Sequence, residues 1–477
     1  MPVGVGVDRR RSARAVSSVV LTIVLLASAR YANGQDSVFP VPRRPLGRDL
    51  QVYEPAPGDP ERREAPPVRN PTGTVSLRDA VALTLLQNPG LAAFAWETRA
   101  REARLLQAGR LPNPVITPLV QDLGGNTGLT GAADPIQAQT TIELSQLIEL
   151  GGKRAARRTL AASSRDLAAW DYETARIDVL TDVSRAFTDV LAAQEAVALT
   201  AEATRLVEQV QQSVALRVVA GVVSPIEETR ATVALAAVRV ESARARRALE
   251  ASRARLALLW GSPTAVFQSA AGDLKAEPAA LPAMSELTAR IEQSPELARW
   301  AAEMAQREAV LAVERSKRGV DVAVIAGYRR YHEIDSNAFV VGASIPLPLF
   351  DRNRDGIEEA RSRLAKAYEE RRAVHARVAA ALADAYAALA SAHDEVTALR
   401  LAVLPGSQET FDAVSEGYRL GKFGYLDVLD AQRTLIGAGS QYLRALSDYH
   451  KAIANVERLI GAPLAGNLDR PTTTARE

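Results

Sequence analysis

The chain has 477 residues, and its 58 Lys and Arg residues nearly balance its 56 Asp and Glu residues, which leaves a formal net charge of +2. A charge this small provides no extended positive field, so nucleic acid is not an expected partner. The absence of cysteine excludes disulfides, thiolate metal centres, a cysteine nucleophile and the lipid-modified cysteine of a bacterial lipoprotein. Aromatic residues make up only 5%, and the alanine-rich composition favours long helices over sheets.

Residues 1–34 have the pattern of a secretory signal peptide. Several arginines precede an apolar run over residues 16–27, and small residues follow at cleavage spacing. An uncleaved anchor is the alternative, but about 12 apolar residues span only about 18 Å as a helix, against about 30 Å of hydrocarbon. No later stretch reaches about 18 uninterrupted apolar residues, so a membrane-spanning part is expected to be a closed β-barrel.

Residues 35–74 form a second N-terminal segment with a different composition. Prolines recur throughout it, and proline at this density removes backbone donors and blocks regular structure. We therefore predict an extended, Pro-rich periplasmic tail. A Pro-rich recognition motif is the alternative interpretation of the same residues.

The remainder of the chain repeats itself at an offset of about 200 residues. Gly221 with the following Val-Val-Ser-Pro corresponds to Gly421 with the following Lys-Phe-Gly-Tyr, and Leu259-Trp-Gly-Ser-Pro corresponds to Leu459-Ile-Gly-Ala-Pro. An ordered series of matches indicates a duplication. The predicted boundaries are a first repeat over 75–263, an inter-repeat segment over 264–282, a second repeat over 283–463 and a C-terminal tail over 464–477.

Each repeat is predicted to hold the same elements in the same order. Hydrophobic periodicity and Gly, Pro, Asn and Asp clusters separate a helix, two strands, a long helix and a returning helix. The predicted elements of the first repeat cover 76–110, 115–121, 138–145, 153–219 and 225–260, and those of the second cover 284–317, 320–330, 338–345, 356–420 and 426–460. Pro405-Gly406 is expected to kink or interrupt the long helix of the second repeat.

The long helix of the first repeat carries two apolar seams. Residues at alternating spacings of four and three form a coiled-coil seam with one polar member, Gln194. A second stripe, from Leu199 to Val210, lies out of register with the first. A helix with two seams can pack on both sides and so close a ring. Likewise, four strands cannot close a barrel alone. Both observations predict that several copies combine.

The order of elements, the duplication and the sequence Asp427-Val428-Leu429-Asp430-Ala431 resemble the TolC family of outer membrane efflux proteins over residues 75–463. The segments 143–154 and 345–354 are similar to the CzcC branch, the outer membrane components of heavy-metal pumps of the RND type. The resemblance implies a mainly α fold with a small β part. It also implies a homotrimer with four strands per protomer in a 12-stranded transmembrane β-barrel in outer membrane lipid, continued by a long periplasmic α-helical barrel.

The resemblance also assigns roles to the two turns at the ends of the helix hairpins. Gly421 and Gly424 suit a tight reversal, and Ser224 is a suitable helix cap before Pro225. Ordinary helix hairpins without a partner are the alternative. The resemblance implies docking of a periplasmic adaptor (a membrane fusion protein) at these tips, and the corresponding residues are Gly221, Ser224, Gly421 and Gly424.

Asp427 and Asp430 share one face at the start of the last helix. Stabilisation of the positive end of the helix dipole is an ordinary explanation for both. The resemblance implies instead that they line the periplasmic entrance constriction, where threefold symmetry would form rings of carboxylates that favour cations. The first repeat has Glu227 and Arg230 at the equivalent positions.

No enzyme is predicted, since the sequence lacks a phosphate loop, the zinc-protease motif HExxH and the serine elbow GxSxG. His332, Glu333 and Asp335 are interpreted as solvated loop residues, so no metal site and no cofactor is predicted. Tyr328, Tyr331 and Phe339 fit either an aromatic girdle at the membrane interface or core packing.

The predicted function, implied by the resemblance, is a passive outer membrane duct that works with an adaptor and an inner-membrane RND pump. Its cargo is expected to be divalent cations of the cobalt, zinc and cadmium type, by resemblance to the branch. Drug or solute efflux and protein secretion are alternatives for the cargo. A periplasmic coiled-coil adaptor or scaffold is the alternative from another class.

Overall fold

A computed structural model describes residues 50–54, 69–122, 139–276, 280–332 and 334–464. The predicted signal peptide, most of the Pro-rich tail, Glu333 and all but the first residue of the predicted C-terminal tail lie outside these residues. The predicted domain boundaries remain predictions.

The two halves of the described chain follow the same order of helices and strands. The helices are α1 (Leu77–Gln87), α2 (Pro89–Ala108), α3 (Lys153–Val219), α4 (Pro225–Leu259), α5 (Met284–Arg290), α6 (Pro295–Ser316), α7 (Arg354–Ala398), α8 (Leu404–Arg419) and α9 (Tyr425–Ile460). The strands are β1 (Gly73–Ser76), β2 (Val115–Gln121), β3 (Gln139–Ile148), β4 (Phe267–Ala271), β5 (Val322–Tyr331) and β6 (Ser336–Ser344). A 3₁₀ turn (Ile291–Gln293) precedes α6, and a π-helical turn (Leu399–Val403) joins α7 to α8.

The first helix of each half is broken at an X-Pro pair, where the sequence predicted one continuous helix. Asn88 is extended, and its side-chain oxygen accepts a hydrogen bond from the Leu91 amide at 3.0 Å. Ser294 caps α6 in the same way, because its hydroxyl accepts a hydrogen bond from the Leu297 amide at 3.2 Å. The residue before a proline avoids helical backbone angles, while proline suits the first helical position. Each X-Pro pair therefore ends one helix and starts another.

The long helix of the second half continues through the predicted interruption. α7, the π-helical turn and α8 follow one another without a break, and Pro405 lies in the first turn of α8. A proline removes one helical hydrogen bond and crowds the preceding turn. The wider π turn just before it accommodates that loss, so the chain remains helical.

Four strands form an antiparallel sheet in the order β2-β3-β5-β6. Tyr328 pairs with Phe339 across β5 and β6, and Ile142 pairs with Tyr328 across β3 and β5, so these side chains share one face. That face is apolar and exposed, with Phe339 at 87% exposure. The opposite face mixes apolar residues with Glu143 and Arg329. Among the described residues, β2 and β6 each pair with one neighbour only.

A second, two-stranded sheet was not predicted from the sequence. β1 and β4 pair in parallel although about 190 residues separate them, a typical non-local pairing. The side-chain amide of Gln194 binds the Ala270 backbone twice, donating to its carbonyl at 3.1 Å and accepting from its amide at 2.7 Å. The polar member of the apolar seam therefore anchors β4. Phe267, Phe187 and Leu191 belong to the main buried core beside it.

The helices form open layers of four elements, as the strands of the larger sheet do. Next to the sheet, the packing order is α2-α3-α6-α7, and toward the hairpin ends it is α4-α3-α9-α7/α8. Within the described chain, α4 packs extensively only on α3, and α8 only on α9 and the adjoining π turn. Each level is therefore a layer of four elements with two unpartnered edges. No helix in the described ranges is both long and apolar enough to cross a membrane.

Candidate functional site

Two helix hairpins end side by side, at the ends of the helices that lie away from the sheet. Their turns share one backbone geometry. Gly221 and Gly421 have φ of +71° and +76°. The amide of Val222 donates to the Arg217 carbonyl at 2.9 Å, and the amide of Lys422 donates to the Gly417 carbonyl at 2.8 Å. This is a Schellman ending, which needs a left-handed residue at the position that each glycine occupies.

The first tip, residues 220–224, starts α4 with a side-chain cap. The hydroxyl of Ser224 accepts a hydrogen bond from the Ile226 amide at 3.4 Å, and Pro225 occupies the first helical position. Proline lacks the amide hydrogen that a helix start leaves unpaired. Glu227, in the first turn, also faces the positive end of the helix dipole.

The second tip, residues 420–424, starts α9 without a side chain at the cap. Asp427, in the first turn, reaches back to the cap residue instead, and its carboxylate accepts a hydrogen bond from the Gly424 amide at 2.9 Å. Asp430 lies one turn further along, and both aspartates are exposed. Neither aspartate forms an ion pair with another described residue. The structure thus brings the two predicted carboxylates together and gives Asp427 a local role as well.

An apolar cluster holds the two tips together. Its buried members come from the ends of all four hairpin helices: Val214, Ala231, Phe411, Tyr418, Tyr425, Val428 and Ala431. Arg217 donates a hydrogen bond to the carbonyl oxygen of Tyr418 at 2.6 Å, and its guanidinium carbon lies 4.3 Å from the centroid of the same ring. The Tyr418 hydroxyl lies 3.4 Å from a carboxylate oxygen of Glu227 and donates to it.

Burial determines the protonation of the Tyr418 hydroxyl. Desolvation raises the pKa of Tyr418, Arg217 partly opposes the rise, and Glu227 adds to it. Desolvation and the neighbouring Tyr418 also raise the pKa of Tyr425. Tyr418 therefore stays protonated at neutral pH and remains a donor to Glu227. These contacts join the first hairpin to the second.

Both tips also expose apolar side chains at their ends. Val219 is 88% exposed, Val222 and Leu420 are exposed, and the ring of Phe423 folds back over Gly417. A methyl group at Gly417 would overlap that ring. The predicted docking residues thus lie between exposed apolar side chains, a composition that favours contact with another protein.

The other residues that the sequence singled out lie at the sheet. His332 forms a hydrogen bond to the Thr140 hydroxyl at 3.1 Å, and Asp335 forms an ion pair with Arg330 at 2.7 Å. In the described ranges, no group of three metal-ligating side chains comes together. Tyr328 and Phe339 share the apolar face, whereas Tyr331 points to the opposite face.

Comparison with known proteins gives the family. The family model described as Outer membrane efflux protein matches residues 80–262 and 288–462, which together cover most of the chain. The chain belongs to this family. An outer membrane efflux protein is a channel component and not an enzyme, and the outer membrane is its location. An adaptor or scaffold of another class is excluded by this membership.

Two individual relatives and one solved structure are also similar to this chain. The chain is 36% identical to the cobalt-zinc-cadmium resistance protein CzcC of Cupriavidus metallidurans, over 82% of this chain and 91% of that one. It is 28% identical to the nickel-cobalt-cadmium resistance protein NccC of Alcaligenes xylosoxydans, over 72% and 73%. The crystal structure of CusC has the same fold, with a TM-score of 0.70, 16% identity and coverage of 86% and 99%.

Sequence reasoning missed the contacts between the tips. The residue equivalent to Arg217 in the second repeat is Gly417, and the residue equivalent to Tyr418 in the first repeat is Val218. Neither Arg217 nor Tyr418 therefore stands out as a repeated feature. A usable signal was present. Where two repeats differ, a charged or aromatic residue present in only one of them marks a contact that the other lacks.

Proposed function

We propose that three copies of this outer membrane efflux protein assemble into one passive duct. The observation that carries this proposal is that the sheet and both helix levels are open layers of four elements. An unpaired strand edge attracts another strand, and a closed ring removes every edge. Three copies would join β6 of one to β2 of the next and, in the same sense, α7 and α8 of one to α2 and α4 of the next.

The same arrangement gives the sheet a membrane-facing side. The apolar face with Ile142, Tyr328 and Phe339 would contact outer membrane lipid, and the face with Glu143 and Arg329 would line the opening. The helical levels would extend into the periplasm. The boundaries of the two repeats, 75–263 and 283–463, are part of this proposal.

A periplasmic adaptor is the proposed partner at the tips, and an RND pump in the inner membrane supplies the energy. Gly221, Ser224, Gly421 and Gly424 form the turns that the adaptor would contact, beside the exposed side chain of Val219. The two turns have similar shapes, so one kind of adaptor hairpin could dock at both. Asp427 and Asp430 would form carboxylate rings at the entrance to the duct.

Divalent metal cations are the proposed cargo. Support comes from the 36% identity to CzcC, whose name assigns it to cobalt, zinc and cadmium resistance, and from the lower identity to NccC. Carboxylates at the entrance would favour cations over anions. Drugs, other solutes and secreted proteins are the competing cargoes.

Growth of a deletion strain tests the cargo. Sensitivity to zinc, cobalt, cadmium, nickel and copper is compared with sensitivity to a panel of drugs and detergents, each with plasmid complementation. We expect selective metal sensitivity that the intact chain reverses. Sensitivity to drugs without a metal effect would contradict the metal cargo and leave the duct in place.

Cross-linking tests the assembly and the partner. Single cysteines at Ser224 and Gly424 are compared with one at Gln268, an exposed position on β4. We expect the tip cysteines to cross-link to a protein that mass spectrometry identifies as a periplasmic adaptor, and the Gln268 cysteine to give no such product. Native mass measurement in detergent should give three copies. A monomer would contradict the trimeric duct.

A further inference from the structure

A polar stripe runs the length of α9. Its positions begin at Asp427 and Asp430 and recur at alternating spacings of three and four residues up to Arg458, and every one of them except Gly437 carries a polar side chain. In the half of α9 from Tyr442 to Ile460, every residue is buried except those of the stripe. These five residues are Arg444, Asp448, Lys451, Asn455 and Arg458. A central helix of the layer thus leaves one continuous polar face uncovered.

The polar stripe pairs with charged residues of the neighbouring helix. Lys451 contacts Asp189 of α3 at 2.5 Å, and Arg458 contacts Asp178 of α3 at 3.1 Å. Between them, Arg185 of α3 donates a hydrogen bond to Asn455. On the other side, Gln441 donates to Glu395 of α7 at 2.9 Å. The uncovered face therefore spans three adjacent helices and carries both signs of charge.

The small sheet β1-β4 lies on the opposite face of the same helices. His450 is bonded to the Leu274 carbonyl at 3.1 Å, and Gln194 of α3 is bonded to Ala270. On that side an ion pair joins Lys275 to Glu195 at 2.6 Å. A layer that closed into a tube with this sheet inside would fill its own bore. The face with the polar stripe must then be the inner one.

We propose that the polar stripe of α9 and the facing carboxylates of α3 line the bore, and that their ion pairs form a charge-balanced ring midway along it. This proposal rests on the proposed duct. At the entrance, Asp427 and Asp430 have no ion-pair partner among the described residues. Further from the tips, Lys451 neutralises Asp189 and Arg458 neutralises Asp178. Cations are selected at the entrance and then pass a wall that does not retain them.

Two matched lysine variants of the full-length chain test the charge balance. Lys451→Gln leaves Asp189 of α3 unpaired beside the stripe, whereas Lys275→Gln leaves Glu195 unpaired on the opposite face. Reversal potentials are measured in planar bilayers across a potassium chloride gradient. We expect Lys451→Gln to raise the ratio of potassium to chloride permeability, Asp189→Asn to lower it, and Lys275→Gln to leave it unchanged. Equal shifts in the two lysine variants, or no shift in either, would overturn the proposal.

Cysteine labelling gives an independent readout because the chain has no cysteine of its own. Gln441→Cys and Asp448→Cys lie on the stripe, and Gln268→Cys lies on the small sheet. The probe is 2-sulfonatoethyl methanethiosulfonate. We expect it to change the current through the two stripe variants and not through Gln268→Cys. Complete labelling of the stripe variants without a change in current would overturn the lining. A wild-type protein that carries no current would instead overturn the proposed duct.

Discussion

At the first tip, Ser224 caps the returning helix and Glu227 accepts a hydrogen bond from Tyr418 of the other hairpin. At the second tip, Gly424 has no side chain, Asp427 turns back to cap the helix, and Asp430 has no ion-pair partner in the described chain. The backbones of the two turns are nearly the same. The two repeats thus have tips of the same shape but with different side-chain roles. The first tip forms the contact that joins the two hairpins, and the second tip exposes negative charge.

Removing the contact that joins the tips should have the largest effect on their stability. Arg217→Ala deletes a charged hydrogen bond and a cation–π contact to Tyr418, together worth about 2 kcal/mol. Hydrogen exchange followed by mass spectrometry should show faster exchange in both tips at once. The matched control is Arg419→Ala, whose exposed pair with Glu416 is worth less than about 1 kcal/mol. Loosening confined to one hairpin would contradict the coupling.

Substituting the turn glycines tests whether the two backbones are equivalent. Gly221→Ala and Gly421→Ala each place a Cβ at positive φ, which costs about 1–2 kcal/mol. Because nothing described lies within 4 Å of either added Cβ, the two variants should lose the same stability. Local exchange rates at each tip measure the loss. Clearly unequal losses of stability would show that the two turns are not equivalent, although their backbone shapes are similar.

Neutralising the second tip should alter ion preference. The double variant Asp427→Asn, Asp430→Asn keeps an oxygen that can cap α9 but removes the charge. A carboxylate acting through water is worth about 1 kcal/mol at 4 Å, or about fivefold in cation preference. Reversal potentials in planar bilayers should shift toward chloride by this order. Glu227→Gln at the first tip is the control and should leave selectivity unchanged. An unchanged potential in the double variant would remove Asp427 and Asp430 from the entrance.

Removing only the Tyr418 hydroxyl should weaken the first tip slightly. The bond to Glu227 is long at 3.4 Å, so Tyr418→Phe should cost no more than about 0.5 kcal/mol, the low end for a hydrogen bond. Hydrogen exchange at residues 225–231 should become slightly faster. The capping hydrogen bonds at the starts of α4 and α9 should not change. A large loss would mean that the hydroxyl has a further partner.

The same residue predicts a mild dependence on alkaline pH. Burial raises the pKa of Tyr418 above its ordinary value of about 10. The stabilisation from the protonated hydroxyl is complete below about pH 10 and is lost as the pH rises through the folded-state pKa. Hydrogen exchange at the tips, referenced to an unaffected part of α3, should therefore accelerate above pH 10. Tyr425 also titrates there, so Tyr418→Phe should reduce this acceleration without abolishing it.

Local signals predicted the extent of most elements, but they missed the breaks at the two X-Pro pairs and wrongly predicted an interruption at Pro405. Non-local contacts were the other source of error. The helix over 153–219 was predicted with both of its ends and is confirmed, because glycines mark each end. The pair β1-β4 was missed, since short parallel strands far apart in sequence carry no local signal. The sequence identified Gln194 only as the one polar member of an apolar seam, and its two hydrogen bonds to Ala270 are apparent only in the structure.

The candidate site was predicted in part, for a related reason. Glycine and proline at the tips predicted the turns, and the resemblance singled out Asp427 and Asp430, whose role stays a prediction. The bridge from Arg217 through Tyr418 to Glu227 crosses between hairpins about 200 residues apart in sequence, so spacing could not indicate it.

The open edges at all three levels have a consequence for how the chain folds. A lone copy exposes a strand edge, with its unpaired backbone groups, at β2 and again at β6, and an uncovered helix flank at each end of both helical layers. In the trimer proposed above, such a copy would gain much of its stability only when its edges meet other copies. The free energy of unfolding would then depend on protein concentration, and folding and assembly would be one process.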